Sequence, residues 1–177
     1  DETFWAFFTN TPGEKYATRI VFFLDLMAGL TTEEKDDYYT FFYFDKMHKE
    51  GEDLYKTWEG IVHTFLTLKE WRYNHELYHK IGYLISCGEV SLGHIYQQSK
   101  SCTKKELKSY LNDEITRSIQ FKIPYSELSY ENHPTEIERL LLLFNIESVR
   151  TIDNNKQWFP FDKHKESQWS LEHIHAQ

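Results

Sequence analysis

The sequence predicts an all-α fold, a multi-helix bundle-like body with a short extended C-terminal tail, and three observations predict it. Apolar residues recur three and four apart along most of the 177 residues, the spacing that collects them on one face of a helix. Helix-starting residues such as Asn74 and Thr103 precede these stretches, and glycines such as Gly29 and Gly88 follow them. Glycine and proline are few, 7 and 4, so little of the chain is available for linkers.

In order, residues 3–8 form a short apolar opening, closed by the turn Asn10-Thr11-Pro12-Gly13. Residues 14–28 read as a helix whose inward face is Tyr16, Ile20, Phe23, Leu24 and Met27, with Gly29 as its stop. Thr32, followed by Glu33 and Glu34, suits a new N-terminus. The run 38–44, Tyr-Tyr-Thr-Phe-Phe-Tyr-Phe, is aromatic enough for a strand but continuous rather than alternating, and we read it as a buried helix. Residues 53–71 form the clearest helix, with Leu54, Trp58, Ile61, Val62, Phe65 and Leu68 as one inward stripe. Asn74 caps the next helix, which runs to about Cys87. A shorter helix covers residues 91–98. Thr103 and Glu106 then form a capping box for residues 104–118. Ile123-Pro124-Tyr125 breaks the pattern, and Asn132-His133-Pro134-Thr135 opens a helix with Ile137, Leu140, Leu141 and Phe144 inward. Its run Leu140–Leu143 is apolar all round, which predicts a central position. After Ile152 the chain turns polar and aromatic, and Phe159-Pro160-Phe161 reads as a short extended piece.

Composition narrows the function classes. With 40 % hydrophobic and 17 % aromatic residues the chain has the material for a Phe/Tyr/Leu/Ile core. A net charge of −8 argues against a surface that grips nucleic acid throughout. Two cysteines, Cys87 and Cys102, build no disulfide framework and fit a reducing compartment. No apolar run reaches the ~20 residues of a membrane span, and no signal peptide opens the chain. The expectation is a piece of a longer cytoplasmic protein.

Three stretches invite chemistry. His75-Glu76-Leu77-Tyr78-His79 matches HExxH, which on a helix puts two imidazoles on one face for zinc with the glutamate as general base. Gly82 extends the match toward HExxHxxGxxH, but the third ligand position is Ile85. A catalytic zinc takes three protein ligands plus an open position. We therefore read the match as coincidental, with His75 and His79 at the boundary of a helix that buries Leu77, Tyr78, Ile81, Leu84 and Ile85. Lys100, Lys104, Lys105 and Lys108 cluster at one helix start, but Glu106, Asp113 and Glu114 dilute them and a solvated face is the better reading. The third stretch is the tail. Glu172-His173 closes a short apolar segment after Trp169, an arrangement in which a histidine activates water and an adjacent carboxylate holds a divalent ion.

The tail also carries a resemblance. Residues 141–150 (LLLFNIESVR), 158–165 (WFPFDKHK) and 169–177 (WSLEHIHAQ) are similar to segments of bacterial proteins related to the GmrSD-type modification-dependent restriction systems. In that family a ParB-like N-terminal sensor or NTPase domain precedes a helical middle region. A His-Me finger (HNH-type) nuclease domain follows, opening near W-x-[IL]-E-H-I-x-P-Q. Tyr38-Tyr39-Thr40-Phe41 and residues 76–85 resemble the helical middle region, which places the HExxH in a helix not known for metal ligation. The resemblance covers most of the chain loosely and the last ~40 residues well, in the sense that context supports a motif.

Carried over by position, the resemblance implies His173 as general base of the complete nuclease domain and Glu172 as a metal ligand beside it. Ile174 packs the finger and Gln177 matches the Gln that follows; Ala176 stands where the family has Pro. The Asn and His that finish the motif, and the N-terminal domain with its Gly-Gln-Gln-Arg-type segment, are not within these residues. The expectation is thus a helical middle domain over 1–152 and, over 153–177, a connector and the first strand of the nuclease domain. The parent protein is expected to cut DNA with Mg²⁺ in an NTP-linked way. The fragment itself is expected to be inactive and to hold no cofactor. Its partners would be DNA through the full-length protein, the sensor/NTPase domain of the same chain, no membrane and, in one reading, a second copy. The alternatives are a protein-interaction or oligomerisation module, and a zinc hydrolase through His75, Glu76 and His79.

Overall fold

Helices dominate the computed structural model, which describes residues 2–8, 19–29, 36–151 and 157–166. They are α1 (Glu2–Phe8), α2 (Arg19–Ala28), α3 (Tyr39–Lys49), α4 (Leu54–Tyr73), α5 (His75–Ser86), α6 (Leu92–Ser99), α7 (Lys104–Ser118), α8 (Pro134–Thr151) and α9 (Phe161–Glu166), with a 3-10 turn at Tyr125–Glu127. No strand occurs among the described residues, so the all-α class is as the sequence predicts. The turn at residues 10–13 and the Thr32 helix start lie outside the described residues.

Cap chemistry sets most boundaries. The first N–H groups of a helix lack intrahelical acceptors, and short polar side chains supply them. Asp53 accepts from Tyr55 N at 3.1 Å, Asn74 from Leu77 N at 3.1 Å and Ser91 from His94 N at 3.2 Å. At α7 the capping box is complete: Glu106 N donates to Thr103 Oγ1 at 3.3 Å and Thr103 N to Glu106 Oε2 at 2.7 Å. Gly29 and Gly88, with φ of 75° and 73°, end α2 and the α5 region in the left-handed conformation that a side chain disfavours. The last carbonyls of α2 are served from other elements, Leu26 O by Gln97 Nε2 at 2.7 Å and Ala28 O by Tyr39 Oη at 3.3 Å.

Helix α5 is the centre of the fold. It packs against α1, α4, α7, α8 and α9 and buries eight of its twelve residues. Two hydroxyl pairs stitch its surroundings. Ser118 donates to Ile115 O at 2.7 Å, which makes Tyr83 Oη, 2.9 Å away, the donor to Ser118. Thr64 likewise donates to Gly60 O at 2.7 Å and receives Tyr96 Oη at 2.6 Å, tying α4 to α6.

Several faces differ from the sequence expectation. Helix α8 is peripheral: Leu142 and Ile146 are buried while Phe144 is 68 % exposed and Leu141 is also exposed. Four consecutive leucines span a whole turn, and only the side that meets α5 is covered. Helix α2 turns Phe22, Phe23 and Leu26 inward and leaves Ile20 exposed. Helix α3 forms as predicted but none of its residues is buried. Of the stripe expected to point inward from α4, only Leu68 is buried and Ile61 is half-buried; Leu54, Trp58, Val62 and Phe65 are exposed. The core side of α4 is instead Thr64, Leu68 and Trp71.

Candidate functional site

The most organised polar cluster lies where residues 157–161 cross α5. Position 82 is glycine, and the Phe161 ring fills the space a Cβ would need. That close approach lets Phe161, fully buried, lie on α5 beside Tyr78, at 5.2 Å, and Phe7 of α1, at 5.7 Å. The backbone of the segment is fixed by three α5 side chains. Tyr78 Oη donates to Phe159 O at 2.5 Å, His75 Nε2 donates to Gln157 O at 2.8 Å, and Phe159 N donates to His79 Nε2 at 3.2 Å. The segment assigned to the connector by sequence is therefore, over its described residues, packed into the helical body; Phe161 begins α9 rather than extending the chain.

The same contacts decide what the HExxH residues do. His79 is completely buried, not at the helix boundary as the sequence suggests. Its Nδ1 donates to His75 O at 2.7 Å and its Nε2 accepts from Phe159, so the neutral tautomer with the proton on Nδ1 uses both nitrogens. Burial pulls its pKa from 6.5 down to about 4, helped by the nearby Arg150 cation and opposed by the hydrogen bond to His75 O. No lone pair of His79 is left for a metal ion in this arrangement.

Glu76 points elsewhere and bonds to Lys108 and Lys80, each at 2.5 Å. These two ammonium groups hold its carboxyl down at about 2, far from the range of a general base at neutral pH. Among the described residues no group of three His, Cys, Asp or Glu side chains is placed to hold a metal ion. The HExxH is thus a helix surface divided in two, with its histidines serving the 157–161 segment and its glutamate serving α7.

Around this crossing sits an aromatic girdle. The Arg72 guanidinium lies 4.7 Å from the Tyr78 ring, 5.6 Å from Trp158, 5.8 Å from Phe7 and 6.0 Å from Tyr73. Trp158 stacks on His79 and meets His75 edge-on. Sequence reasoning missed this cluster because its members come from α1, α4, α5 and the C-terminal segment. The Gly82–Ile85 spacing was read as a failed metal motif when its physical signal was a glycine on a buried helix face.

The other candidates separate cleanly. Lys104 pairs with Glu70 and Lys108 with Glu76, while Lys100 lies over the Tyr96 ring at 4.8 Å, so three of the four clustered lysines are engaged by neighbours within the chain. Cys87 and Cys102 are free thiols, both partly buried, and burial pushes each one's pKa up. Glu172, His173, Ile174, Ala176 and Gln177 lie outside the described residues, so the arrangement of that pair is not among the contacts described. No protein-family profile, curated protein or solved structure matches this chain. No described helix is long and apolar enough to cross a membrane.

Proposed function

We propose that this chain is the helical scaffold of a DNA-cleaving protein of the modification-dependent restriction type, and that its described part performs no chemistry of its own. The observation that supports the scaffold role is the anchoring of residues 157–161 on α5 by Tyr78, His75, His79 and the Gly82 notch. In sequence this segment precedes Trp169–Gln177, and the contacts tie the chain to the helical body just before that stretch. Support for the nuclease comes from the sequence resemblance of WSLEHIHAQ, with His173 as general base, Glu172 as ligand to Mg²⁺, and DNA as substrate. In this reading the sensor domain lies N-terminal in the parent protein and its nucleotide controls cutting.

The test uses the parent protein containing the whole His-Me finger. Mg²⁺-dependent cleavage of modified DNA is expected, abolished by His173→Ala and by Glu172→Ala, and sharply lowered by Phe161→Ala, which loosens the anchor without touching the motif. Residues 1–177 alone are expected to leave plasmid DNA intact. Cleavage that persists in His173→Ala sinks the nuclease assignment, and a Phe161→Ala protein that stays folded and fully active sinks the scaffold role.

A second reading, a protein-docking module, is favoured by one specific observation. Helices α3 and α4 expose Tyr38, Phe41, Phe42, Tyr55 and Trp58, all more than half exposed. An apolar patch of this kind on a folded domain marks an interaction surface. Its test is the effect of Phe41→Glu and Trp58→Glu on assembly of the parent protein with its partners. Unchanged assembly in both variants removes it.

A further inference from the structure

We infer that the exposed stripe of α4 is a self-association face, on which a second copy of this chain packs about a two-fold axis. The inference deepens the docking reading and is independent of the nuclease reading. At 100° per residue, Leu54, Tyr55, Trp58, Val62 and Leu66 fall within an arc of about 120° and run for more than three turns of the helix, while Phe65 on the same arc turns its ring to Phe4 and Phe23, 6.0 and 6.1 Å away. Gly60, where the Met27 side chain of α2 packs so closely that a Cβ would sit 2.5 Å from Met27 Cε, lies about 180° from the middle of that arc. The stripe therefore points away from the core side of α4. A helix apolar on both sides is one that a folded assembly covers on both sides.

Three features select a second copy as the occupant. The first is area. Five side chains left 40–69 % exposed present on the order of 600 Å² per copy, so two copies bury about 1,200 Å², where stable specific interfaces begin.

The second is charge. A net charge of −8 per chain opposes self-association, but some of the charge along α3 and at the start of α4 is paired locally. Lys46 pairs with Glu50, Lys49 with Asp45 and Lys56 with Glu52. A stripe of uncharged side chains does not call for a charged partner and tolerates an identical one.

The third is symmetry. A two-fold contact juxtaposes the same patch on both copies, and a straight stripe along a 20-residue helix is self-complementary when two such helices cross antiparallel, Trp58 and Val62 lying near the axis.

The test is sedimentation equilibrium of residues 1–177 from about 1 to 100 μM, the range that resolves micromolar association. The expected result is a reversible dimer, twice the 21.4 kDa of one chain. Trp58→Glu is expected to weaken it by about 30-fold, the loss of one interface hot spot. Val62→Glu, one turn away, serves as the second variant should the first lose its helical circular dichroism. Phe144→Glu, on α8 and equally exposed, is expected to leave the dimer unchanged. A strict monomer throughout the range overturns the inference while the docking reading keeps its own test. So does a dimer that survives both α4 variants, or one that Phe144→Glu dissociates.

Discussion

Helix α5 and the first three turns of helix α4 are made of much the same residue types, yet they end in opposite surroundings. α5 carries Leu77, Tyr78, Ile81, Tyr83, Leu84 and Ile85, all buried. α4 carries Leu54, Tyr55, Trp58, Val62 and Phe65, all exposed. What separates them is not hydrophobicity but what accompanies it. On α5 three positions are fitted to particular partners: Gly82 to Phe161, His79 to Phe159 N, Tyr83 to Ser118. On α4 the fits of Gly60 to Met27 and Thr64 to Tyr96 lie on the core side. A helix face matched by specific polar contacts is closed within the chain, and one with bare apolar side chains is open to another.

The sharpest way to break this contrast is to make the same truncation on both sides of it. Phe161→Ala removes a fully buried ring and is expected to cost about 3–5 kcal/mol of unfolding free energy in urea titration, enough to leave the C-terminal segment detached at ordinary temperature. A loss under ~1 kcal/mol contradicts the anchoring role.

Acid tests the same crossing through His79. Its folded pKa, about 4, lies below its ordinary 6.5, so the unfolded chain takes the proton first. Stability is full above pH 6.5, falls as pH drops through 6.5, and the loss is complete below about 4, where it amounts to roughly 3 kcal/mol. Glu76, held at about 2, adds stability above its ordinary 4.5 that fades between 4.5 and 2, so the two windows follow one another. His79→Gln is expected to flatten the upper window alone, which unfolding curves at pH 7, 5 and 4 would show.

Filling the notch is a milder challenge. Gly82→Leu drives a side chain into the Phe161 ring, and overpacking of this kind costs about 1–3 kcal/mol, read as a fall in Tm of several degrees. Asn74→Ala removes only the α5 cap and should cost about 1 kcal/mol. At the bottom of the scale stands Phe41→Ala, which truncates the ring type removed in Phe161→Ala but at 64 % exposure, and should stay within ~0.5 kcal/mol of the parent chain. A large loss there would mean that α3 is packed after all and would erase the contrast.

These comparisons also mark what was legible in the sequence. The helices from α4 to α8 were, because their ends are local: Asn74, Thr103 with Glu106, and Gly88 each act on residues within four positions of themselves. Which face turned inward was less so. Trp58 and Phe65 follow an amphipathic spacing, and spacing records only that a face is apolar, not whether the cover belongs to the same chain. The α8 leucines misled for a related reason, since an all-round apolar run holds no information about which side is met. The His79 contact was invisible because its partner, Phe159 N, is a backbone group 80 positions away. The Glu172–His173 pair remains a reading of the sequence.

Phe7 and Phe161 lie 5.7 Å apart, and the Arg72 cation stands between rings from α1 and from residue 158. During synthesis, α1 leaves the ribosome roughly 150 residues before the aromatic groups that complete its packing, a wait of about 10–30 s at ordinary elongation rates. Until then its three buried phenylalanines have only part of their cover, and the nascent chain carries an unfinished apolar surface at α1. The α1 side of the body can therefore close only after residues 157–161 have left the ribosome, so the first helix to be made waits on one of the last described segments.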